Sequence, residues 1–164
     1  MGRSNLTQID DLRSDLKPGE RILGLDVGAK TIGLALANGS ASVATPLETI
    51  RRSNLKMDTA ALLVVIADKG VGALVVGLPI NMNGSEGPRC QSIRQFVDNL
   101  RPAISLPVTL WDERLSSAAV NRMLIDADAS RKRRAQVVDK LAAAYILQGA
   151  LDRMAHAGAA NPAA

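Results

Sequence analysis

The dominant pattern in the chain is an apolar stretch from Leu23 to Leu36, reading LGLDVGAKTIGLAL, broken by one carboxylate and one short turn. Its two halves, joined at Gly28-Ala29-Lys30, predict a hairpin of buried strands over Arg21 to Val27 and Thr31 to Ala37. Asn38-Gly39-Ser40 is turn chemistry, and a third strand is expected from Ser42 to Ile50, with Pro46 suiting a sheet edge. Asn54 or Asp58 can open a helix that runs to about Lys69 and stops at Gly70. Gly72 to Pro79 is continuously apolar, the signature of a parallel strand covered on both faces. A loop over Ile80 to Gly87 then precedes a helix from about Pro88 to Leu100. Leu106 to Glu113 predicts a fifth strand, Ser116 or Ser117 a helix cap after it, and about Ala135 to Met154 a long final helix.

Three meandering strands followed by alternating helices and strands predict an α/β domain: a mixed five-stranded sheet with helices on both faces. The expected division is a flexible tail over residues 1–20, one domain over 21–154 and a disordered end over 155–164. In such sheets functional groups gather at the carboxyl ends of the parallel strands, where Asp26, Pro79 and Glu113 fall.

Composition narrows the class. No apolar run approaches the roughly 18 to 20 residues of a membrane span, and the N-terminus has no signal-peptide core. Cys90 stands alone, which excludes a disulfide framework, so a cytoplasmic location without membrane contact is expected. Phe96, Trp111 and Tyr145 are the whole aromatic complement, too few for base stacking to hold single strands. The net charge is +4, and four of the positive charges form the run Arg131-Lys132-Arg133-Arg134 just before the last helix. Such runs are often merely solvated, but beside an acidic site this one would draw in a polyanion through salt-sensitive phosphate contacts.

Three acids point inward. Asp26 interrupts a buried strand, where an uncompensated carboxylate is unfavourable by several kcal/mol. Alternation puts Thr109, Trp111 and Glu113 on one face of the fifth strand and Asp112 on the other. On the last helix Asp139, Ala143 and Ile146 share a stripe at i, i+4 and i+7. For each a plain alternative stands: a turn cap for Asp26, a surface pair with Arg114 for Glu113, a helix N-terminal charge for Asp139. Three carboxylates without Cys or His partners suit a hard cation, Mg²⁺ or Mn²⁺ with Mg²⁺ preferred. Mg²⁺ takes ligands readily from phosphate, which suggests phosphodiester hydrolysis, with two metals each serving one reacting oxygen.

Around these acids, Gly28 permits close backbone approach, and Lys30 could face a phosphate or be a solvated turn residue. Arg114 could orient Glu113 or contact phosphate. Asn81 and Asn83 could offer donors to a substrate backbone or simply form a turn.

The segments Leu25 to Gly33 (LDVGAKTIG), Val76 to Gly84 (VGLPINMNG), Asp112 to Ser117 (DERLSS) and Asp139 to Leu147 (DKLAAAYIL) together resemble the YqgF family. These are RNase H-like proteins, also described as Holliday-junction-resolvase-like and regarded as the nuclease maturing the end of pre-16S ribosomal RNA. The resemblance spans about residues 20 to 153 and implies the ribonuclease-H-like fold. It also implies that Asp26, Glu113 and Asp139 are the catalytic, metal-holding acids. The family loop commonly reads Asn-Met-Asp-Gly; here Asn83 replaces that Asp, which argues against a metal-ligand role for it. Structured RNA is the implied substrate, with the small ribosomal subunit as a partner. A four-way DNA junction is the alternative, and would require a homodimer, whereas RNA cleavage is compatible with a monomer. A non-catalytic nucleic-acid-binding module is a third reading, disfavoured by the intact acids. Asp26 to Gly33 also resembles the phosphate loop of actin-like ATPases and sugar kinases, but 164 residues leave no room for their second lobe.

Overall fold

The computed structural model describes residues 7–40, 43–115 and 131–160, with only the backbone for 131–139 and 156–160. Five strands form one sheet: β1 (Arg21–Val27), β2 (Thr31–Asn38), β3 (Thr45–Arg51), β4 (Val71–Leu78) and β5 (Val108–Asp112). Their spatial order is β3-β2-β1-β4-β5. The hairpin and its neighbour β3 are antiparallel, whereas β1–β4 and β4–β5 are parallel. The strand β4 is buried along its whole length, as a continuous apolar run between two parallel neighbours should be. Pro46 lies on the edge strand β3, where its missing N–H leaves no ladder bond unmade towards a further strand.

Helices α1 (Ile9–Leu12), α2 (Leu55–Lys69), α3 (Pro88–Leu100) and α4 (Arg131–Ala160) cover both faces. Leu23, Leu25, Val27, Leu74 and Val76 pack under α2 and α3, together with Leu62, Ile93, Phe96 and Val97. Ile22, Ala35, Ala73, Val75 and Trp111 point the other way, against α1 and α4. Asn54 caps α2, its Oδ1 accepting the Met57 N–H at 2.9 Å, and Gly70 ends it in the left-handed region at φ +64°. Pro88 begins α3, where a missing N–H is harmless. Among the described residues no helix is long and apolar enough to cross a membrane.

Several boundaries differ from the sequence reading. The N-terminal stretch expected outside the core packs on it from Thr7 onward. Thr7 N–H donates to Val108 O at 2.8 Å, Thr109 Oγ1 donates to Thr7 O at 3.0 Å, and Leu12 is fully buried. Ile9, Leu12 and Leu16 follow an i, i+3, i+7 spacing, a short apolar stripe among polar residues that suffices to dock the segment. β5 is shorter than expected, beginning after Pro107 and ending at Asp112, so Glu113 opens a 3-10 turn over Glu113–Leu115. Helix α4 starts at Arg131 and reaches Ala160, so the basic run forms its first turn instead of preceding it. Arg, Lys and the alanines near the end are good helix formers, which accounts for the extension at both ends. The expected start of β3 at Ser42 and the cap at Ser116 or Ser117 lie outside the described residues, while β3 is described from Thr45.

Helix α4 rests on the sheet at glycines. A β-carbon on Gly24 would stand 2.8 Å from Leu147 Cβ and 3.1 Å from the Ala143 carbonyl oxygen. One on Gly77 would collide with the Ile146 side chain and stand 3.1 Å from Glu113 Oε2. Gly24→Ala is expected to lower stability by about 1 to 3 kcal/mol, because a methyl there meets backbone that cannot yield. Urea denaturation measures this, and an unchanged midpoint would mean that α4 shifts freely over β1.

Candidate active site

Asp26 and Glu113 are drawn to one place by the strand order. Asp26 follows Leu25, which is paired with Val76, and Glu113 comes two residues after Trp111, which is paired with Gly77. β1 and β5 thus flank β4, and both acids sit at the carboxyl ends of the parallel strands. Alternation carries them to the α4 side of the sheet: Ile22 and Trp111 belong to the core under α4, and Glu113 Oε2 borders Gly77 and Ile146. Both are nearly inaccessible, Asp26 at 5% and Glu113 at 3% exposure. The alternation predicted for β5 therefore continues one residue past the strand's end.

Between the two carboxylates lies Gly77. The volume a side chain would occupy there is taken by Ile146 and by one oxygen of Glu113. Ala143 and Ile146 of the predicted helical stripe are buried against the sheet, and Asp139 lies on α4 one turn before Ala143. Its side chain, like those of Arg131, Lys132, Arg133 and Arg134, is outside the described set. Among the described residues no group of three or more His, Cys, Asp or Glu forms a metal cluster.

The hairpin turn after Asp26 is held from outside. Gly28 N–H donates to Thr31 O at 2.8 Å, and a β-carbon on Gly28 would stand 3.1 Å from that same oxygen. Arg52, just beyond β3, donates from Nη1 to Gly28 O at 2.7 Å and from its backbone N–H to Lys30 O at 2.8 Å. Its guanidinium also lies over the Phe96 ring, 5.0 Å from the centroid, and 3.5 Å from Asp58 Oδ2. Asp58, 3% exposed, accepts the Ser53 N–H at 3.0 Å. Lys30 itself is exposed at the turn.

The loop after β4 is internally bonded. Asn81 Nδ2 donates to Ser85 Oγ at 3.1 Å, while Asn83 Oδ1 accepts Ser85 N–H at 3.0 Å and Ser85 Oγ at 2.6 Å. Gly84 supplies the left-handed residue of the turn at φ +89°. A fork from Arg94 Nε and Nη2 to Glu86, at 2.6 and 3.0 Å, ties the loop to α3 and holds the Glu86 carboxyl below the usual range. Cys90 donates its thiol to Pro79 O at 3.2 Å, and burial pushes that thiol's pKa up, which suits packing and not reactivity.

Arg114 grips Asp112 on the solvent side of the site: Nη2 reaches Oδ2 at 2.7 Å, Nε reaches both oxygens at 3.1 Å, and the backbone N–H donates to Oδ1 at 3.0 Å. Arg89, in the first turn of α3, places Nη2 3.6 Å from Asp26 Oδ1. Neither Arg52 nor Arg89 stands out in the sequence. The faint signal for Arg89 is its place immediately after Pro88, in a first turn where a cation opposes the helix dipole.

Comparison with known proteins follows this geometry. The family model described as RuvX, Holliday junction resolvase, matches residues 20–153. A protein of Paramagnetospirillum magneticum named "Putative pre-16S rRNA nuclease" is 57% identical over 142 residues, covering 87% of this chain and 92% of that protein. One of the same name from a Ruegeria species is 53% identical over 147 residues, 90% and 94% of the two chains. Among solved structures, Thermus thermophilus RuvC in complex with a Holliday junction substrate superposes with a TM-score of 0.52 at 16% identity, covering 82% and 96%. The yeast mitochondrial resolvase Ydc2 does so with 0.50 at 12%, covering 92% and 86%. At these identities the likeness is one of fold, and the fold is the ribonuclease-H-like α/β sheet.

Arg114 beside Asp112 holds the Asp112 carboxyl below the usual carboxylate range, chiefly through the side-chain hydrogen bonds. A depressed folded-state pKa stabilises the fold above the unfolded value of about 3.9, and the contribution is lost as pH falls through the lower folded value. Asp112→Asn is therefore expected to reduce stability at neutral pH and to flatten the acid limb below about pH 4. Thermal melts across pH measure it; an acid limb identical to wild type would remove Asp112 as a contributor.

Proposed function

We propose that this chain, a nuclease belonging to the RuvX (Holliday junction resolvase) family, hydrolyses phosphodiester bonds of structured RNA and processes the end of the 16S ribosomal RNA precursor. The observation that carries the chemistry is the convergence of Asp26 and Glu113 beside Gly77, two buried carboxylates from strands that flank β4. The RNA assignment is supported by the names of the relatives that match most of the chain. Cytoplasmic location and the small ribosomal subunit as partner belong to the same proposal.

The donor set fits a divalent cation. Its members are carboxylate oxygens, which suit Mg²⁺ or Mn²⁺, and Asp26 and Glu113 are both buried at the ends of strands that flank β4. Asp26, Glu113 and Asp139 would hold the cation, and a bound cation supplies charge stabilisation at the phosphate and at the attacking and leaving oxygens. The chain's own groups do the rest. The Arg52 hydrogen bonds to Gly28 O and Lys30 O fix the turn beside Asp26, which presents Lys30 to a flanking phosphate. Asn81 and Asn83 shape the loop that borders the substrate path, and Arg114, steadied by Asp112, adds positive charge there. Arg131, Lys132, Arg133 and Arg134 open the helix that bears Asp139 and raise the local concentration of a polyanion.

A second reading, cleavage of four-way DNA junctions, is favoured by the family description itself and would use the same acids in a pair of protomers.

Asp26→Asn, Glu113→Gln and Asp139→Asn should each lower cleavage more than about a hundredfold in Mg²⁺ or Mn²⁺ while leaving the fold intact. The assay sets an extended 16S precursor RNA beside a four-way DNA junction. Cutting of the junction alone would reverse the substrate order, and full activity in any variant would remove that acid from the site. Neutralising Arg131 to Arg134 should weaken RNA binding and shallow the log–log salt dependence by up to about 3. An unchanged slope would make the run a solvated surface.

A further inference from the structure

Four arginines near the site hold carboxylates, and they do so differently. Arg114 and Arg94 close forks on Asp112 and Glu86 with shortest distances of 2.7 and 2.6 Å, and Arg52 meets buried Asp58 at 3.5 Å while bonded elsewhere. Arg89 faces Asp26 at 3.6 Å, beyond hydrogen-bond length, with 51% of its side chain in solvent. It is a charge contact between a buried acid and a half-exposed cation.

The backbone beneath Arg89 is fixed. Pro88 sets the start of α3, Cys90 is fully buried with its thiol on Pro79 O, and Cys90 N–H donates to Gly87 O at 3.1 Å. The helix does not retain the guanidinium, because a cation in the first turn opposes the dipole and no acidic residue lies there to offset it. Among the described residues, the carboxylate that faces it is Asp26. A divalent cation on that carboxylate would compete with the guanidinium for the same negative charge and weaken its hold on Arg89. Released, a planar fork of N–H donors is suited to a phosphate.

We propose that Arg89 is a placeholder cation, neutralising Asp26 in the metal-free protein and turning to a phosphate of the bound strand when a divalent ion takes Asp26. This rests on the metal-site reading above. Arg89 is a positioning residue in the first state and a substrate contact in the second.

Titration calorimetry of the full chain with Mn²⁺ alone, without nucleic acid, tests it. Arg89→Met should bind Mn²⁺ roughly three- to tenfold more tightly than wild type, since a competing charge is gone. Arg89→Lys, which keeps the charge, should bind Mn²⁺ close to wild type. At saturating Mn²⁺, Arg89→Met should raise KM for the RNA more than it lowers kcat. Wild-type or weaker Mn²⁺ affinity in Arg89→Met would overturn the proposal while leaving the metal site standing, provided Asp26→Asn abolishes the binding heat. No Mn²⁺ binding in wild type, or binding undiminished in Asp26→Asn, would overturn the metal site and the placeholder together.

Discussion

Helix α4 lies against the sheet at a separation that admits no β-carbon at Gly24 or Gly77, and the site depends on that contact. With a larger residue at either position the helix would ride higher, and Asp139 with it. The same closeness puts Ile146 and Glu113 into the space over Gly77, so one missing side chain serves both packing and the acid. Small residues on α4 meet it from the other side: Ala142, Ala143 and Ala150 are buried there. Close packing on two sets of small residues makes the interface rigid, which a constellation of carboxylates requires.

The charges around this contact form a sorted arrangement. Asp58 and Asp112 each have a dedicated arginine, with Arg52 also bracing the turn beside Asp26 and Arg114 gripping its own neighbour. These pairs give shape to the rim. Asp26 and Glu113 are buried, at the carboxyl ends of strands that flank β4, and Asp26 faces the half-exposed Arg89 at 3.6 Å.

Much of this was readable from the chain. The apolar run over Val71–Leu78 announced a buried strand, Asn54 and Gly70 marked both ends of α2, and Pro88 began α3. Asp26 was conspicuous because a carboxylate in an apolar strand is a local inconsistency, and such inconsistencies mark functional sites. Glu113 was legible through alternation even though it lies past β5. What could not be read was tertiary. The apolar residues Ile9, Leu12 and Leu16 are too few to announce a docked segment, and their burial depends on a surface built by α4 and β5. Arg52 reaches Gly28 because β3 borders β2, and Arg89 reaches Asp26 because α3 begins near the end of β1. Neither adjacency has a local sequence signal. In the sequence the clustered like charges suggest a solvated segment before α4, yet their helix propensity carries α4 through them.

The strand order has a consequence for how the protein is made. β1 and β5 never touch; β4 must be inserted between them before Asp26 and Glu113 can approach. Asp139 lies still later in the chain, on α4. Such non-local assembly is slow compared with hairpin formation, and it cannot be completed until β4, β5 and α4 have all been made. The β1–β2 hairpin carries one acid and a truncated chain ending before α4 carries at most two. On the proposed assignment of the three acids, a chain that stops before α4 lacks the third of them and is expected to be inert towards nucleic acid without any inhibitor.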